Sequence, residues 1–442
     1  MRARIICCAA AIGLAAVRLP FAGADPAGIV DLQECISLAL AHDPGLRADE
    51  LESVAANARL KEMQGQYVPS VSLQAGYSRL SDVQTGTLGP FTLPEPPLNS
   101  TIVRLSVQQP LFTGLRIASS IRQADALRAS AGNDAARTKL ELRASVSDAF
   151  WQLAKSRALE KSSIESQGQL ERRLSDVKIL VEQGVAPHND VVQAAMRLED
   201  ARIDTARAAS IREIAWVRLA QLIGAPLAPA LDIADVAGAA PATVPAPGIA
   251  SGLEDVVSRA IASRPEIASA RSRLGAQEAA VDLARSGRYP NVFLTGDYTL
   301  ASPNSRVFPP EDQFIGTWSV GIMASFDIGR FPQVAAQEEQ ALSRAAQARE
   351  YARRLSDAVS SEVVRAAITL NAALKAYASL KTETAQAEEN FLYVQERFRQ
   401  GVALSSVSLD AQTMLERARL REQAALYDCL IARVGYDRAT GE

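Results

Sequence analysis

Aromatic, cysteine and histidine residues are scarce in this sequence, and positive charge is not in excess. Of 442 residues, 5% are aromatic, although hydrophobic residues of all kinds reach 48%. This balance favours long, closely packed helices over compact aromatic cores. The formal net charge is −3, and no basic patch is interleaved with aromatic residues. The sequence therefore argues against nucleic acid as a partner.

Signatures of catalysis and cofactor binding are also missing. The chain has no phosphate-binding loop, no Gly-rich dinucleotide fingerprint and no nucleophile elbow, so we predict neither an enzyme nor a cofactor. The two histidines, His42 and His188, lie far apart and do not make a metal ligand set. Beyond residue 24 the cysteines are Cys35 and Cys429. They either form a disulfide between the two ends of the mature chain or lie as small buried residues in helices.

Residues 1–24 have the pattern of a secretory signal peptide. Arginines precede an apolar run from Ile5 to Val17, and residues 22–24 (Ala-Gly-Ala) form a small-residue cleavage site. The run is too short to cross a bilayer as a helix, and no later stretch approaches about 18 apolar residues. If the mature protein enters a membrane, it therefore does so as β-strands. Because residue 25 is Asp and not Cys, we predict no N-terminal lipid.

A stretch in the C-terminal half places apolar residues at alternating steps of three and four, the spacing of a helix that winds around another helix. Extended back to Gln333, it predicts a helix of about 68 residues and ~100 Å. The turn at residues 400–403 has a Gly suited to a helix C-cap, and a second helix then returns to near Ala439. The spaced positions are Leu370, Ala373, Tyr377, Leu380, Thr384, Ala387, Phe391, Val394 and Phe398.

The same helix–turn–helix unit occurs in the N-terminal half, which indicates an internal repeat. Its turn is Gln183-Gly184-Val185-Ala186, and its apolar positions are Leu170, Leu174, Val177 and Val181. We therefore divide the mature chain into a first structural repeat at 25–224, a Pro/Ala-rich connector at 225–250 and a second structural repeat at 251–442.

Between the helices of each half, the apolar period changes to two. This predicts four strands, each with one apolar and one polar face and nearly the ~9–11 residues that cross a membrane. Such alternation is typical of outer-membrane barrels. Four strands cannot close a barrel, and an open edge cannot persist in lipid. Either several chains share one barrel, or the strands lie outside lipid. The apolar positions begin with Val71, Leu73 and Tyr77; Val103, Leu105 and Val107; Val292, Leu294 and Tyr298; and Val320, Ile322 and Phe326.

The doubled order helix–helix–strand–loop–strand–long helix–turn–helix resembles the TolC-like outer-membrane efflux proteins, the outer membrane factors. Tyr67-Val68-Pro69 before a strand and residues 109–114 after one add to the likeness, which covers nearly the whole mature chain. The resemblance implies a mostly α fold with a transmembrane β-barrel. Four strands per chain would form a trimeric twelve-stranded barrel that continues into an α-helical periplasmic tunnel. It places the protein in the bacterial outer membrane, with a large periplasmic part.

The resemblance also implies a function. Such proteins are exit channels of tripartite systems and passively conduct substrates received from an inner-membrane transporter and a periplasmic adaptor, the membrane fusion protein. Their two helix–helix turns form the periplasmic mouth, where the adaptor docks. The implied partners are therefore a homotrimer, an adaptor, an inner-membrane transporter and outer-membrane lipid. The matching tip turns are Gly184, Val185 and Ala186, and Gly401, Val402 and Ala403.

Three further positions match residues that narrow the mouth in the family. Asp190 and Asp410 match constriction aspartates, and Phe398 stands where the best-known relative has a Tyr. The chain departs from that relative at Ala403, which replaces a gating Arg. We therefore hypothesise that apolar packing around Phe398, Ala403 and Leu404 closes the mouth.

Two alternatives remain open. The same fold could serve type I protein secretion, because neither the tunnel width nor the partner is written in one sequence. A protein of a different class, a soluble periplasmic coiled-coil scaffold, could carry two hairpins as decorations. Strands with a lipid-facing apolar band argue against the scaffold.

Overall fold

The computed structural model describes residues 29–81, 87–88, 91–92, 97–184, 187–227, 232–233, 252–308, 311–400, 402 and 405–441. The predicted signal peptide and most of the connector lie outside these residues. The helices are α1 (Leu32–His42), α2 (Pro44–Gly65), α3 (Arg116–Glu182), α4 (His188–Ile223), α5 (Leu253–Ser263), α6 (Pro265–Arg285), α7 (Phe331–Arg399) and α8 (Ser405–Thr440). The strands are β1 (Ile29–Val30), β2 (Ser70–Arg79), β3 (Thr87–Leu88), β4 (Phe91–Thr92), β5 (Asn99–Phe112), β6 (Asp232–Ile233), β7 (Asn291–Ser302) and β8 (Ile315–Ser325).

Local sequence explains where the short helices begin. The Asp43 carboxylate accepts a hydrogen bond of 2.6 Å from the Leu46 N–H and so caps the start of α2. Asp31 caps α1 in the same way. Pro44 and Pro265 each occupy the first turn of a helix, where a missing N–H costs nothing. None of the described helices is both long and apolar enough to cross a membrane.

The long helices α3 and α7 have 67 and 69 residues, and each packs against the helix that follows it. Of the apolar positions predicted on α7, Leu370 and Thr384 are buried and Phe398 is exposed, while the others are half-buried. Thr384 is tolerated there because its hydroxyl donates to the Leu380 carbonyl oxygen at 3.0 Å. The returning helix α8 carries its own stripe at steps of three and four. Its buried positions are Ala411, Leu415, Ala418, Ala425 and Cys429.

The four longer strands form one antiparallel sheet in the order β2-β5-β7-β8. Residues directly opposite one another form rows across the sheet, and successive rows face opposite sides. Two neighbouring rows are Leu73, Leu105, Tyr298 and Trp318 on one face, and Ser72, Ser106, Asp297 and Ser319 on the other. The Ser106 hydroxyl donates to the Asp297 carboxylate at 2.6 Å and joins the central strands. The predicted apolar and polar strand alternation is therefore present.

A tight turn links β5 to α3. The pairing of β5 with β7 shifts register between Pro110 and Phe112, and the chain then passes through Gly114 with φ of +60°. A side chain is excluded at Gly114, because a Cβ there would lie 2.6 Å from the Ser286 carbonyl oxygen. Both the backbone conformation and the close approach therefore require glycine.

The largest hydrophobic cluster lies where α1, α3 and α4 meet. Phe150, Val146 and Leu219 are almost fully buried, and burying each such side chain contributes roughly 1.5–3 kcal/mol. Cys35 lies in this cluster, and burial, with the charges of Glu34 and Asp31, raises the pKa of its thiol to about 11. Cys35 and Cys429 are both buried free thiols.

Candidate functional site

The first tip turn joins α3 to α4. The Gln183 N–H donates to the Ile179 carbonyl at 3.0 Å, and the Gly184 N–H donates to the Val181 carbonyl at 3.0 Å. Gly184 has φ of +72°, and no atom lies within 4 Å of where its Cβ would stand. The backbone conformation alone therefore requires this glycine. The other predicted residues of this turn, Val185 and Ala186, lie outside the described residues.

The second tip turn joins α7 to α8. The Gln400 N–H donates to the Glu396 carbonyl at 3.1 Å, and the Val402 N–H donates to the Arg397 carbonyl at 2.9 Å. Val402 is 63% exposed, which leaves an apolar side chain at the tip without cover from the described residues. Gly401, Ala403 and Leu404 lie outside the described residues.

The three predicted constriction residues lie within a few turns of the tips. Asp190 is half-buried in the first turn of α4, where the helix dipole favours a carboxylate. Asp410 is exposed on α8, beside the buried Ala411. Phe398 is 38% exposed at the end of α7. These placements are compatible with a role at the mouth, but helix packing and the helix dipole also explain them, so the predicted roles stay predictions.

A ladder of polar contacts places both tip turns at the same end of the helical bundle. The Lys155 ammonium of α3 lies 2.6 Å from the Asp428 carboxylate of α8. Farther along, Gln412 donates to Gln169 at 3.0 Å. Numbering rises along α3 as it falls along α8, so the two helices are antiparallel neighbours. The end of α3 therefore lies beside the start of α8. Between these two contacts, the ladder continues through Ser162 with Gln423 and Ser166 with Glu416.

The sheet lies at the end of the long helices that is opposite the tip turns, and its apolar face is exposed. Leu73 is 70% exposed and Trp318 is 71% exposed. Within the described residues, β2 pairs only with β5 and β8 only with β7, so both outer edges of the sheet are open. An apolar face of this kind, bounded by unpaired edges, is typical of a surface that meets lipid or another chain.

A buried ion-pair network links α7 and α8 to the junction of α5 and α6, and sequence reasoning missed it. Arg264 is 6% exposed, and its guanidinium lies 2.7 Å from both the Glu266 and Glu362 carboxylates. Arg438 reaches the other oxygen of Glu362 at 2.5 Å. Burial opposes ionisation of Glu362, but its two arginine partners hold its pKa below the ordinary 4.5. No local pattern in the sequence indicated this network, because its members are separated along the chain.

The described residues therefore form two long helical hairpins and a small sheet with one apolar and one polar face. No described group of three or more His, Cys, Asp or Glu side chains clusters as metal ligands. Residues 35–225 and 256–442 match the outer membrane efflux protein family. The chain belongs to this family. The predicted resemblance is thus confirmed, and the family is one of channels and not of enzymes.

One relative is the protein CyaE of Bordetella pertussis, which is 30% identical over 279 residues. The match covers 63% of this chain and 56% of that protein, so it spans little more than half the length of the relative.

Solved structures share the fold. The outer membrane protein VceC of Vibrio cholerae has a TM-score of 0.76 at 16% identity, covering 93% of this chain and 96% of its own. The open state of the MtrE outer membrane channel of Neisseria gonorrhoeae has a TM-score of 0.73 at 22% identity. The match covers 93% of this chain and 88% of the MtrE chain. The fold of the efflux family, mostly helical with a four-stranded antiparallel sheet, is confirmed. The predicted location in the bacterial outer membrane, with a large periplasmic helical part, is also confirmed.

Proposed function

We propose that three copies of this chain form the outer-membrane exit channel of a tripartite efflux or secretion system. Each chain contributes four strands to a twelve-stranded transmembrane barrel, and the long helices continue the conduit into the periplasm. Transport through the channel is passive, and an inner-membrane transporter supplies the energy. Substrate selection belongs to that transporter and its adaptor, together with the surface of the conduit.

The open edges of the sheet are the observation that carries this proposal. Unpaired N–H and C=O groups cost several kcal/mol each in lipid, so a four-stranded sheet with free edges does not persist there. Pairing β2 of one chain with β8 of the next removes both edges. The exposed apolar row that includes Leu73 and Trp318 then faces lipid, while the row with Ser106 and Asp297 faces water inside the barrel.

The tip turns are the proposed docking surface for the periplasmic adaptor. Both turns lie at the same end of the helices, as the contacts from Lys155–Asp428 to Gln169–Gln412 require. Gly184 shapes the first turn, and Val402 offers an exposed apolar side chain at the second. Asp190, Asp410 and Phe398 are the proposed constriction, and threefold symmetry would repeat each of them around the axis.

Deletion of the chain from its bacterium tests the efflux function. We expect lower tolerance to small toxic compounds, restored by the wild-type chain. A chain carrying Val402→Asp should accumulate in the outer membrane yet fail to restore tolerance, because the charge enters an apolar docking surface. Ile368→Asp, which places the same charge at an exposed apolar position of α7 far from the tip, is the matched control. Unchanged tolerance together with loss of a secreted protein from the medium would instead favour type I protein secretion, and no change in either would contradict both.

A further inference from the structure

A cavity of about 690 Å³ lies where the sheet joins the helices. We call it the junction cavity. It is bounded by the starts of α3 and α7, the end of α6 and the first residues of β7. Two aromatic residues, Tyr289 and Phe293, contribute to its wall. Amide side chains from Gln123, Gln277 and Gln337 add hydrogen-bonding groups.

Arginine dominates the charge of the junction cavity. Arg116, Arg330 and Arg344 line it, whereas Asp327 is the one carboxylate among its described lining residues. Arg330 donates to Gln333 at 3.4 Å. Within the described part of the chain, none of the three arginines forms an ion pair. The cavity therefore holds a net positive charge that the described residues leave uncompensated.

A carboxylate that follows a cavity-lining residue on α7 is already engaged by other arginines. Glu338 follows the cavity-lining Gln337 on α7 and accepts a hydrogen bond of 2.9 Å from Arg285. Arg288 binds its other oxygen. The hydrogen bond from Arg285 is the main cause that holds the pKa of Glu338 below its ordinary value, despite some desolvation. Glu338 is therefore already satisfied by two other arginines. It does not neutralise Arg116, Arg330 or Arg344.

The backbone adds to the positive potential. The helix α3 begins at Arg116 on the wall of the cavity, and no side chain caps its first turn. The Arg116 N–H donates to the Thr113 carbonyl at 3.0 Å, and the positive end of the helix dipole at this start favours a bound anion.

The cavity opens on the polar side of the sheet. Asn291 and Phe293 line it, and in a strand they share a face with Thr295 and Asp297, two and four residues farther along. That face is the one whose row contains Ser106 and Asp297. In the proposed channel it faces the water-filled conduit, so the inference below rests on the proposed function.

We propose that the junction cavity is a binding site for organic anions in transit. The arginines bind a carboxylate, sulfonate or sulfate group, and Tyr289 and Phe293 contact the flat apolar part of the same molecule. Each chain of the trimer supplies one such site. A conduit that carries this site retains amphiphilic anions longer than neutral molecules of the same shape.

Single-channel recording of the purified trimer in planar bilayers tests the site, with naphthalene-1-sulfonate as the probe. We expect the probe to interrupt the wild-type current, whereas neutral 1-naphthalenemethanol does not. The double variant Arg330→Gln/Arg344→Gln should raise the half-blocking concentration about tenfold, because two charge-assisted contacts are lost. Asp327→Asn should lower the half-blocking concentration, because the substitution removes a carboxylate that repels the anionic probe. The control is Arg353→Gln on α7. Arg353 is exposed and already paired with Glu350, so this substitution should leave the block by the probe unchanged.

The outcomes separate the site from the channel. Wild-type channels that open but are not blocked, or that are blocked equally in the double variant, would overturn the site and leave the channel function standing. Failure of both the wild-type trimer and a Phe398→Ala trimer, whose mouth lacks the proposed closing side chain, to open any channel would contradict the proposed function and the site together. Opposite effects of the arginine and Asp327 variants are the expected result, and a folding defect cannot produce both.

Discussion

Tyr298 and Trp318 lie directly opposite each other on the antiparallel strands β7 and β8, and both rings stand on the exposed apolar face of the sheet. Tyr298 leans along the strand, since a Cβ at Gly316 would lie 2.4 Å from its hydroxyl oxygen. An aromatic pair on a face without protein cover matches the aromatic girdles of outer-membrane strands. The pair marks one face of the sheet as the outer face in the proposed barrel.

The first prediction tests which face meets lipid. Val320→Arg places a charge on the apolar face near the middle of β8, and we expect a cost of roughly 2–4 kcal/mol for a charge at the bilayer midplane. The amount of trimer recovered from outer-membrane fractions should therefore fall sharply. Ser319→Arg is the matched control, because the neighbouring residue points to the polar face. Equal recovery of the two variants would contradict the assignment of faces.

The second prediction concerns the first tip turn. Gly184→Ala forces a side chain into the left-handed region at φ of +72°, at a cost of roughly 1–2 kcal/mol. We expect faster amide hydrogen exchange at the end of α3 and the start of α4. Gly168→Ala, inside α3, should have the opposite effect and slow exchange, because Ala is the better helix former by roughly 0.5–1 kcal/mol. Slower exchange in both variants would be inconsistent with the strained turn.

The third prediction concerns closure of the mouth. Phe398 is the bulky apolar residue at the end of α7, and it is part of the apolar packing that we propose closes the channel. Phe398→Ala should raise single-channel conductance in planar bilayers and increase leakage of antibiotics into cells. Leu392→Ala, at an exposed position on the same helix, is the control and should leave conductance unchanged. Conductance of Phe398→Ala equal to wild type would rule out closure by this side chain.

The fourth prediction uses the ion-pair network around Glu362. Glu362→Gln removes charge-assisted bonds to Arg264 and Arg438, which should lower stability by on the order of 1–3 kcal/mol at pH 7. The pKa of Glu362 is lower in the folded state than its ordinary 4.5, so its contribution is complete above pH 4.5 and declines as the pH falls through the folded value.

The difference in melting temperature between wild type and Glu362→Gln should therefore be largest at neutral pH and shrink below pH 4.5. Glu350→Gln is a suitable control, because its partner Arg353 is exposed and such surface pairs contribute little. A difference in melting temperature that grows as the pH falls would refute the role of the ionised Glu362 carboxylate.

Local patterns in the sequence were sufficient to predict the long helices and the strand faces. The alternation of Val71, Leu73 and Tyr77 fixes which side chains share a face, because strand side chains alternate strictly. The steps from Leu370 to Phe398 likewise fix one stripe of α7. Gly184 was predicted as a turn residue, since a helix end of this kind favours glycine, and its φ of +72° agrees.

Long-range pairing was harder to predict. Ser106 and Asp297 are 191 residues apart in the chain, and the alternation within a single strand does not identify its neighbour. The network at Arg264 was missed because its members come from three separate segments of the chain. In the sequence, each member resembles an ordinary solvated charge. The lining of the junction cavity was missed for the same reason. The roles of Asp190, Asp410 and the tip turns depend on partners outside the chain and stay predictions.

Electron microscopy of detergent-extracted protein tests the central claim most directly. The account predicts elongated particles longer than ~100 Å, since α3 and α7 rise 1.5 Å per residue over nearly their whole length, with threefold symmetry in end views. Compact, monomeric particles that stay soluble without detergent would contradict it. The strands would then never meet lipid, and a periplasmic coiled-coil scaffold would replace the channel.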